Sequence, residues 1–253
     1  MNETYMTREV ALDYATRILR ERYPGAQLAF AAGSIIRGEG TSTSDLDLVV
    51  IFDKLSQAYR ESFLFEGLPV EAFVHDPETL AYFCWQMDRK EGIPSLPTML
   101  ADGVALPASS QLAEELVLMG KKVLEAGPEP MSTEEISRRR YHLGELLDDL
   151  RAPRSKVEMM AIGTALYGPL ADFALRQRGV YSATGKWIPR RLQATDEQLH
   201  DRFHQAFEQL FRESASAEVI ALVEDVLAPV DGPLFEDYRL DAPKEWRQKV
   251  FEV

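Results

Sequence analysis

Residues 28–50 read Leu28-Ala29-Phe30-Ala31-Ala32-Gly33-Ser34-Ile35-Ile36-Arg37-Gly38-Glu39-Gly40-Thr41-Ser42-Thr43-Ser44-Asp45-Leu46-Asp47-Leu48-Val49-Val50. An apolar run ends on Gly-Ser. Ten residues then intervene before Asp-Leu-Asp opens a second apolar run. The pattern reads as strand, tight turn, short helix, loop and strand. A strand alternates its side chains, so Asp45 and Asp47 share one face while Leu46 and Leu48 share the other.

Each part of this stretch has a physical reason. Two neighbouring carboxylates repel each other and resist burial unless a cation lies between them. Magnesium fits, because it takes hard oxygen ligands and bridges substrate phosphates. Gly33 lets the backbone turn sharply and approach a ligand closely. Ser34 is placed to cap the next helical turn, whose free N–H groups would face an anion. Arg37, one turn on, is placed to meet phosphate or to order the loop, and Gly38 and Gly40 keep that loop pliable. Alone, Asp-x-Asp is an ordinary solvated strand end and Gly-Ser an ordinary turn. Joined at this spacing between two apolar runs, they point to a phosphate-handling site.

The combination resembles the signature of the polymerase-β-type nucleotidyltransferase superfamily. That resemblance implies an α+β fold, with a polymerase-β-like domain built on a mixed sheet. It also implies a third acid on a neighbouring strand. Leu68-Pro69-Val70-Glu71-Ala72-Phe73-Val74-His75-Asp76 supplies one, after a β-prone run from Tyr59 to Glu66, and the two runs read as a hairpin around Gly67. Glu71 lies among apolar neighbours, where glutamate is uncommon. A metal site shared with Asp45 and Asp47 accounts for it; the other reading is an edge-strand glutamate facing water. The Val-Glu-Ala-Phe-Val-His-Asp string is similar to a segment of the aminoglycoside adenylyltransferases that modify streptomycin and spectinomycin. There the glutamate is the third acid, although here fewer residues separate it from Val-His-Asp. Asp76 before Pro77 reads more simply, as an N-cap with proline at the first helical position.

The chain has 253 residues, 45% of them hydrophobic, enough for one large domain or two modest ones. Its net charge is −13, with the excess spread along the chain. Such a field repels polyanions and favours cationic partners, which argues against the nucleic-acid-directed members of the same superfamily. One cysteine, Cys84, excludes an internal disulfide. No segment has the length of a membrane span. The opening Met1-Asn2-Glu3-Thr4-Tyr5 does not read as a signal peptide, so a cytoplasmic location is expected.

Helices are expected over 7–22, 77–90, 110–125, 132–150, 154–177, 195–213 and 217–227, with a short one near 97–101 and a kink at Gly168-Pro169. Strands are expected near 27–33, 46–53, 59–66 and 69–75. The glycine- and proline-rich stretch 91–108 suggests a boundary: a catalytic domain over 1–106 and an all-α, substrate-binding bundle over 107–253. The last 25 residues, rich in Pro, Asp and Trp, read as a tail packed onto the bundle. A small αβ domain followed by a helical bundle is also the plan of the antibiotic nucleotidyltransferases.

Three signals lie in the helical half. Tyr181-Ser182-Ala183-Thr184-Gly185-Lys186-Trp187 lacks the glycine-rich lead of a P-loop. It resembles a Thr-Gly-Lys segment of the same adenylyltransferases, which implies that Lys186 reaches the ATP phosphates; otherwise it is a basic loop. Glu145, Asp148 and Asp149 share one helix face, opposite Leu143, Leu146, Leu147 and Leu150. That face is either solvated or an acidic wall for a cationic substrate, with Tyr141 available to stack on a sugar. His200 and His204 have zinc-site spacing without a third ligand and read as surface residues.

The expected activity is transfer of AMP from ATP, with two Mg2+ ions, to a hydroxyl of a small cationic acceptor, first an aminoglycoside-type antibiotic. Asp45, Asp47 and Glu71 would be the catalytic and metal-binding acids; Gly33, Ser34, Arg37 and Lys186 would contact the nucleotide. A protein-adenylylating, antitoxin-like enzyme is the alternative, although Arg138 and His142 stand one residue too close for the partner toxin's motif. A non-catalytic nucleotide-binding module is a third reading, opposed by retention of all three acids.

Overall fold

The structure, a computed structural model, describes residues 6–108 and 110–248. Met1–Tyr5 of the opening stretch and the last five residues of the tail lie outside them. By its contacts the chain divides into two compact units. The first comprises 1–130 together with 179–183, and the second 131–178 together with 184–253.

The first unit is built on a five-stranded mixed sheet in the order β3-β4-β2-β1-β5. Its strands are β1 (Leu28–Ala32), β2 (Leu46–Ile51), β3 (Tyr59–Phe65), β4 (Leu68–His75) and β5 (Val104–Leu106). β2 and β4 run parallel, and every other pairing is antiparallel. Helix α1 (Arg8–Arg22), capped by the Thr7 hydroxyl, lays Ala11, Ala15 and Ile18 on one sheet face against Ala31, Leu48, Val50 and Ala72. The alternate residues Phe30, Val49 and Ile51 face the other way. They are covered by Leu80 and Cys84, by Leu96 and Leu100 of α5 (Ser95–Asp102), and by Leu116 and Val123 of α6 (Gln111–Ala126). The period-two alternation in the sequence thus becomes two apolar layers.

The expected helix over 77–90 is a composite. α3 (Pro77–Tyr82) passes into one π-helical stretch, Phe83–Asp88, and then into α4 (Arg89–Glu91). Asp76 caps α3 as the Asp-Pro pair implied, with the Thr79 side chain completing a capping box. Backbone N–H groups of Thr79 and Leu55 donate to its carboxylate and hold its pKa down at about 2. At the other end, buried Asp88 accepts the Leu96 N–H at 2.9 Å and so caps α5; desolvation pushes its pKa up to about 7. Strand β5 arises inside the glycine- and proline-rich stretch 91–108, where no strand was expected. Three residues between glycine and proline carry too little periodicity to announce a strand, and pairing with β1 is what makes them one. α6 belongs by its contacts to the first unit, beyond Leu106 where the composition changes.

The second unit is helical: α7 (Thr133–Arg151), α8 (Lys156–Arg176), α9 (Trp187–Thr195), α10 (Glu197–Glu213) and α11 (Ala217–Leu227). Leu143, Leu147 and Leu150 of α7 are buried, Leu146 partly so. Pro169 stands inside α8 without ending it. Helix α9 was not expected, because the basic residues around Trp187 mask an apolar pair, Ile188 and Leu192, at helical spacing. The tail returns to α7: Arg140 donates to the carbonyls of Asp231 and Gly232, and Tyr238 stacks on Tyr141 with centroids 4.0 Å apart. Among the described residues no helix is long and apolar enough to cross a membrane.

Candidate active site

The register of the sheet builds the site. In the parallel pair, Asp47 of β2 lies opposite Glu71 of β4; in the antiparallel pair, Ala32 of β1 lies opposite Asp47. Register partners share a face, so Asp47 and Glu71 point the same way as Val49 and Phe73, toward the side covered by α5 and α6. Asp45 precedes β2 in the same phase. Ligand oxygens of Asp45, Asp47 and Glu71 all lie within 4.8 Å of one another. Among the described residues, no other trio of histidine, cysteine or acid side chains gathers this closely.

Burial and charge combine at Asp47. Desolvation, then the charges of Asp45 and Glu71, push its pKa up to about 6, while Arg37 and Arg60 pull against them. This is the signature of carboxylates brought together for a cation. Three hard oxygen donors at this spacing suit Mg2+ or Mn2+ and do not suit a metal that prefers nitrogen or sulfur.

Gly33 forms the floor beneath Asp47. Its φ is +86°, and a Cβ added there would lie 2.0 Å from Asp47 Oδ2. Two requirements thus meet at one residue: a left-handed turn out of β1, and room for the carboxylate. Gly38 separates them, with φ +77° and open space around it. Gly38→Ala is expected to cost about 1–2 kcal/mol from backbone strain alone and to keep its activity. Gly33→Ala should cost more and lose activity as well, because Asp47 must move. Melting temperatures and pyrophosphate release measured on the pair test this; equal behaviour of the two would refute the collision.

The turn α2 (Gly33–Ile36) differs from expectation at Ser34. The turn begins two residues earlier, with Ala32 as its N-cap and no side-chain cap. The Ser34 hydroxyl instead donates to Ser44 Oγ at 3.1 Å, and the Thr41 N–H donates to the same Ser44 oxygen at 2.9 Å. Ser44 therefore closes the loop that delivers Asp45, a role visible only once the chain is folded. Arg37 ends α2, and its Nε stands 3.7 Å from Glu39.

Arg60 was not singled out from the sequence. On β3 it pairs in register with Phe73, and Ser62 pairs with Glu71. Its guanidinium forms an ion pair with Glu71 Oε1 and lies 4.9 Å from the centroid of the Phe73 ring. Alternation along β3 is the signal that would have found it, since 60, 62 and 71 fall in phase.

In the second unit, Lys186 precedes α9, exposed, with Nζ 5.9 Å from the Trp187 ring. Glu145, Asp148 and Asp149 are exposed on α7. Glu145 accepts from the Tyr141 hydroxyl at 2.9 Å, and Asp148 pairs with Arg151, which also holds Glu224. Tyr238 covers the Tyr141 ring, so that ring is not open to a sugar as the sequence suggested. His200 and His204 each face a carboxylate, Asp201 and Glu208, with no third ligand among the described residues.

No curated protein matches the chain. A nucleotidyltransferase-like protein from Exiguobacterium sibiricum 255-15 aligns with a TM-score of 0.46 and 16% identity, over 86% of this chain and 75% of that one. Residues 12–91 match the family model of the nucleotidyltransferase domain. That span holds the turn at Gly33, all three acids and β1–β4, and it places a nucleotidyltransferase domain at the N-terminus of this chain.

Proposed function

We propose that this protein transfers AMP from ATP to a hydroxyl of a small cationic acceptor, of the aminoglycoside type. The observation that carries the reading is the register pairing of Asp47 with Glu71, which gathers three carboxylates beside a glycine turn. Asp45 and Asp47 would hold one divalent ion, and with Glu71 a second. Such ions, when bound, neutralise the triphosphate and steady the attacking and leaving oxygens. Gly33, Ser34 and Arg37 would contact the nucleotide's phosphates, Ser34 through its backbone, since its hydroxyl holds Ser44. Glu71 would serve either as a ligand of that second ion or as the base that takes the proton of the acceptor hydroxyl. Lys186 would add a cation to the triphosphate. The domain division proposed is 1–106 for catalysis and 107–253 for substrate binding, with α6 of the second stretch packed on the catalytic sheet.

The direct test is pyrophosphate release from each NTP with magnesium and a panel of aminoglycosides. Release with ATP that depends on one class of acceptor supports the reading; none with any pair refutes it.

The net charge of −13 supports a cationic acceptor. Glu145 and Asp149 are the acids of α7 to neutralise, because Asp148 is engaged with Arg151. In Glu145→Gln/Asp149→Asn, acceptor KM should rise roughly three- to tenfold at low salt, the scale of two partly exposed charge pairs. ATP KM should stay unchanged, and salt should shrink the effect. An unaltered acceptor KM would mean that this face meets only water.

A further inference from the structure

Three carboxylates this close repel one another in the metal-free protein. Among the described residues Arg60 forms an ion pair with one of them, and the charge of Arg37 also acts on Asp47. Arg60 forms an ion pair with Glu71 Oε1, the same oxygen that lies 3.4 Å from the Ser62 hydroxyl. Its side chain is 59% exposed against 21% for Glu71, so it can leave without repacking anything. A second seat is already in contact, the Phe73 ring at 4.9 Å, whose face attracts a guanidinium without carrying a charge.

A guanidinium is broad, planar and singly charged. It engages the outermost carboxylate and cannot enter the space among all three. A small divalent ion can, and once there it repels the guanidinium beside it. We propose that Arg60 is the resident counter-ion of the acid cluster, seated on Glu71 in the metal-free protein and displaced onto Phe73 by the arriving metal. This rests on the nucleotidyltransferase reading of the three acids. Arg60 thereby relieves repulsion in the empty site and raises the metal concentration needed to fill it.

The probe is Mn2+ alone, without nucleotide, followed by electron paramagnetic resonance and by melting temperature. Arg60→Gln should bind Mn2+ roughly three- to tenfold more tightly than the parent, the scale of one exposed charge acting on a divalent ion. Arg60→Lys, which keeps the charge, should stay within about twofold on the same reasoning. Without metal, Arg60→Gln should melt below the parent, and Mn2+ should close that gap. Arg60→Met, whose stem still covers Phe73, gives a second neutral variant should the glutamine fold poorly. Equal or weaker Mn2+ binding by folded neutral variants would overturn the proposal and leave the metal site standing, with Arg60 merely orienting Glu71. A parent protein whose Mn2+ signal is absent, or survives Asp45→Asn, would overturn both.

Discussion

Asp47→Asn is expected to abolish nucleotidyl transfer and, in metal-free buffer at neutral pH, to melt at a higher temperature than the parent. The first effect should be at least about a hundredfold, since even the outer partners of a metal site are worth about 10–100-fold. The second follows from the carboxylate's surroundings. Its pKa rises from 3.8 to about 6, first through desolvation and then through Asp45 and Glu71. A raised acid pKa means that the folded state binds more protons than the unfolded state between those two values. Stability therefore falls as pH rises from about 4 through 6, and the full penalty persists above. A shift of this size corresponds to about 3 kcal/mol at most. After relaxation and partial exposure, a gain of about 2–6 °C for the variant is expected in a chain of this size. Below about pH 4, where the parent's Asp47 is protonated in both states, the two proteins should melt together. Magnesium should stabilise the parent selectively and erase the variant's lead. Asp45→Asn should lose activity equally. Parent-level turnover in either variant would refute the assignment of these acids.

The same acids show what a sequence can disclose. Strand alternation around Leu46 and Leu48 set the face of Asp45 and Asp47 before any coordinates, because period two is a local property of the backbone. Glu71 was legible for a related reason: a glutamate among apolar residues asks for a partner. Which residue it would lie beside depends on parallel pairing across a connection, and no local pattern encodes that. Ser44 and Arg60 escaped for the same reason. Ser44 matters through Ser34, ten residues earlier, and Arg60 through a neighbouring strand. Caps were readable where one short motif held both partners, as at Asp76-Pro77. Ser34 misled because the turn starts at Gly33, and a two-residue shift turns a cap into a loop clasp. Tyr141 misled because its partner, Tyr238, lies in a tail without periodicity.

Glu71→Gln should separate binding from chemistry. Glutamine keeps the size of glutamate and still offers an oxygen to the Arg60 guanidinium and the Ser62 hydroxyl, so the strand pairing around it should persist. It cannot take a proton from an attacking hydroxyl. General-base loss is worth about 10²–10⁴-fold, and pyrophosphate release should fall within that range. Binding of Mg-ATP, assigned above to Asp45, Asp47 and the Gly33 turn, should change by less than about threefold, because a base that acts only in the transition state adds nothing to ground-state binding. Calorimetry with ATP and a single-turnover assay on one preparation measure both. Loss of ATP affinity in step with activity would instead make Glu71 chiefly a ligand of the nucleotide's own metal. Full activity would require another acid, and Glu66 is not available for that role. It sits at the β3–β4 turn with φ +50° and forms an ion pair with Arg17 of α1, the helix that covers the opposite face of the sheet. With Glu66 held there, an active Glu71→Gln enzyme would mean that the acceptor hydroxyl gives its proton to Asp45, Asp47 or water.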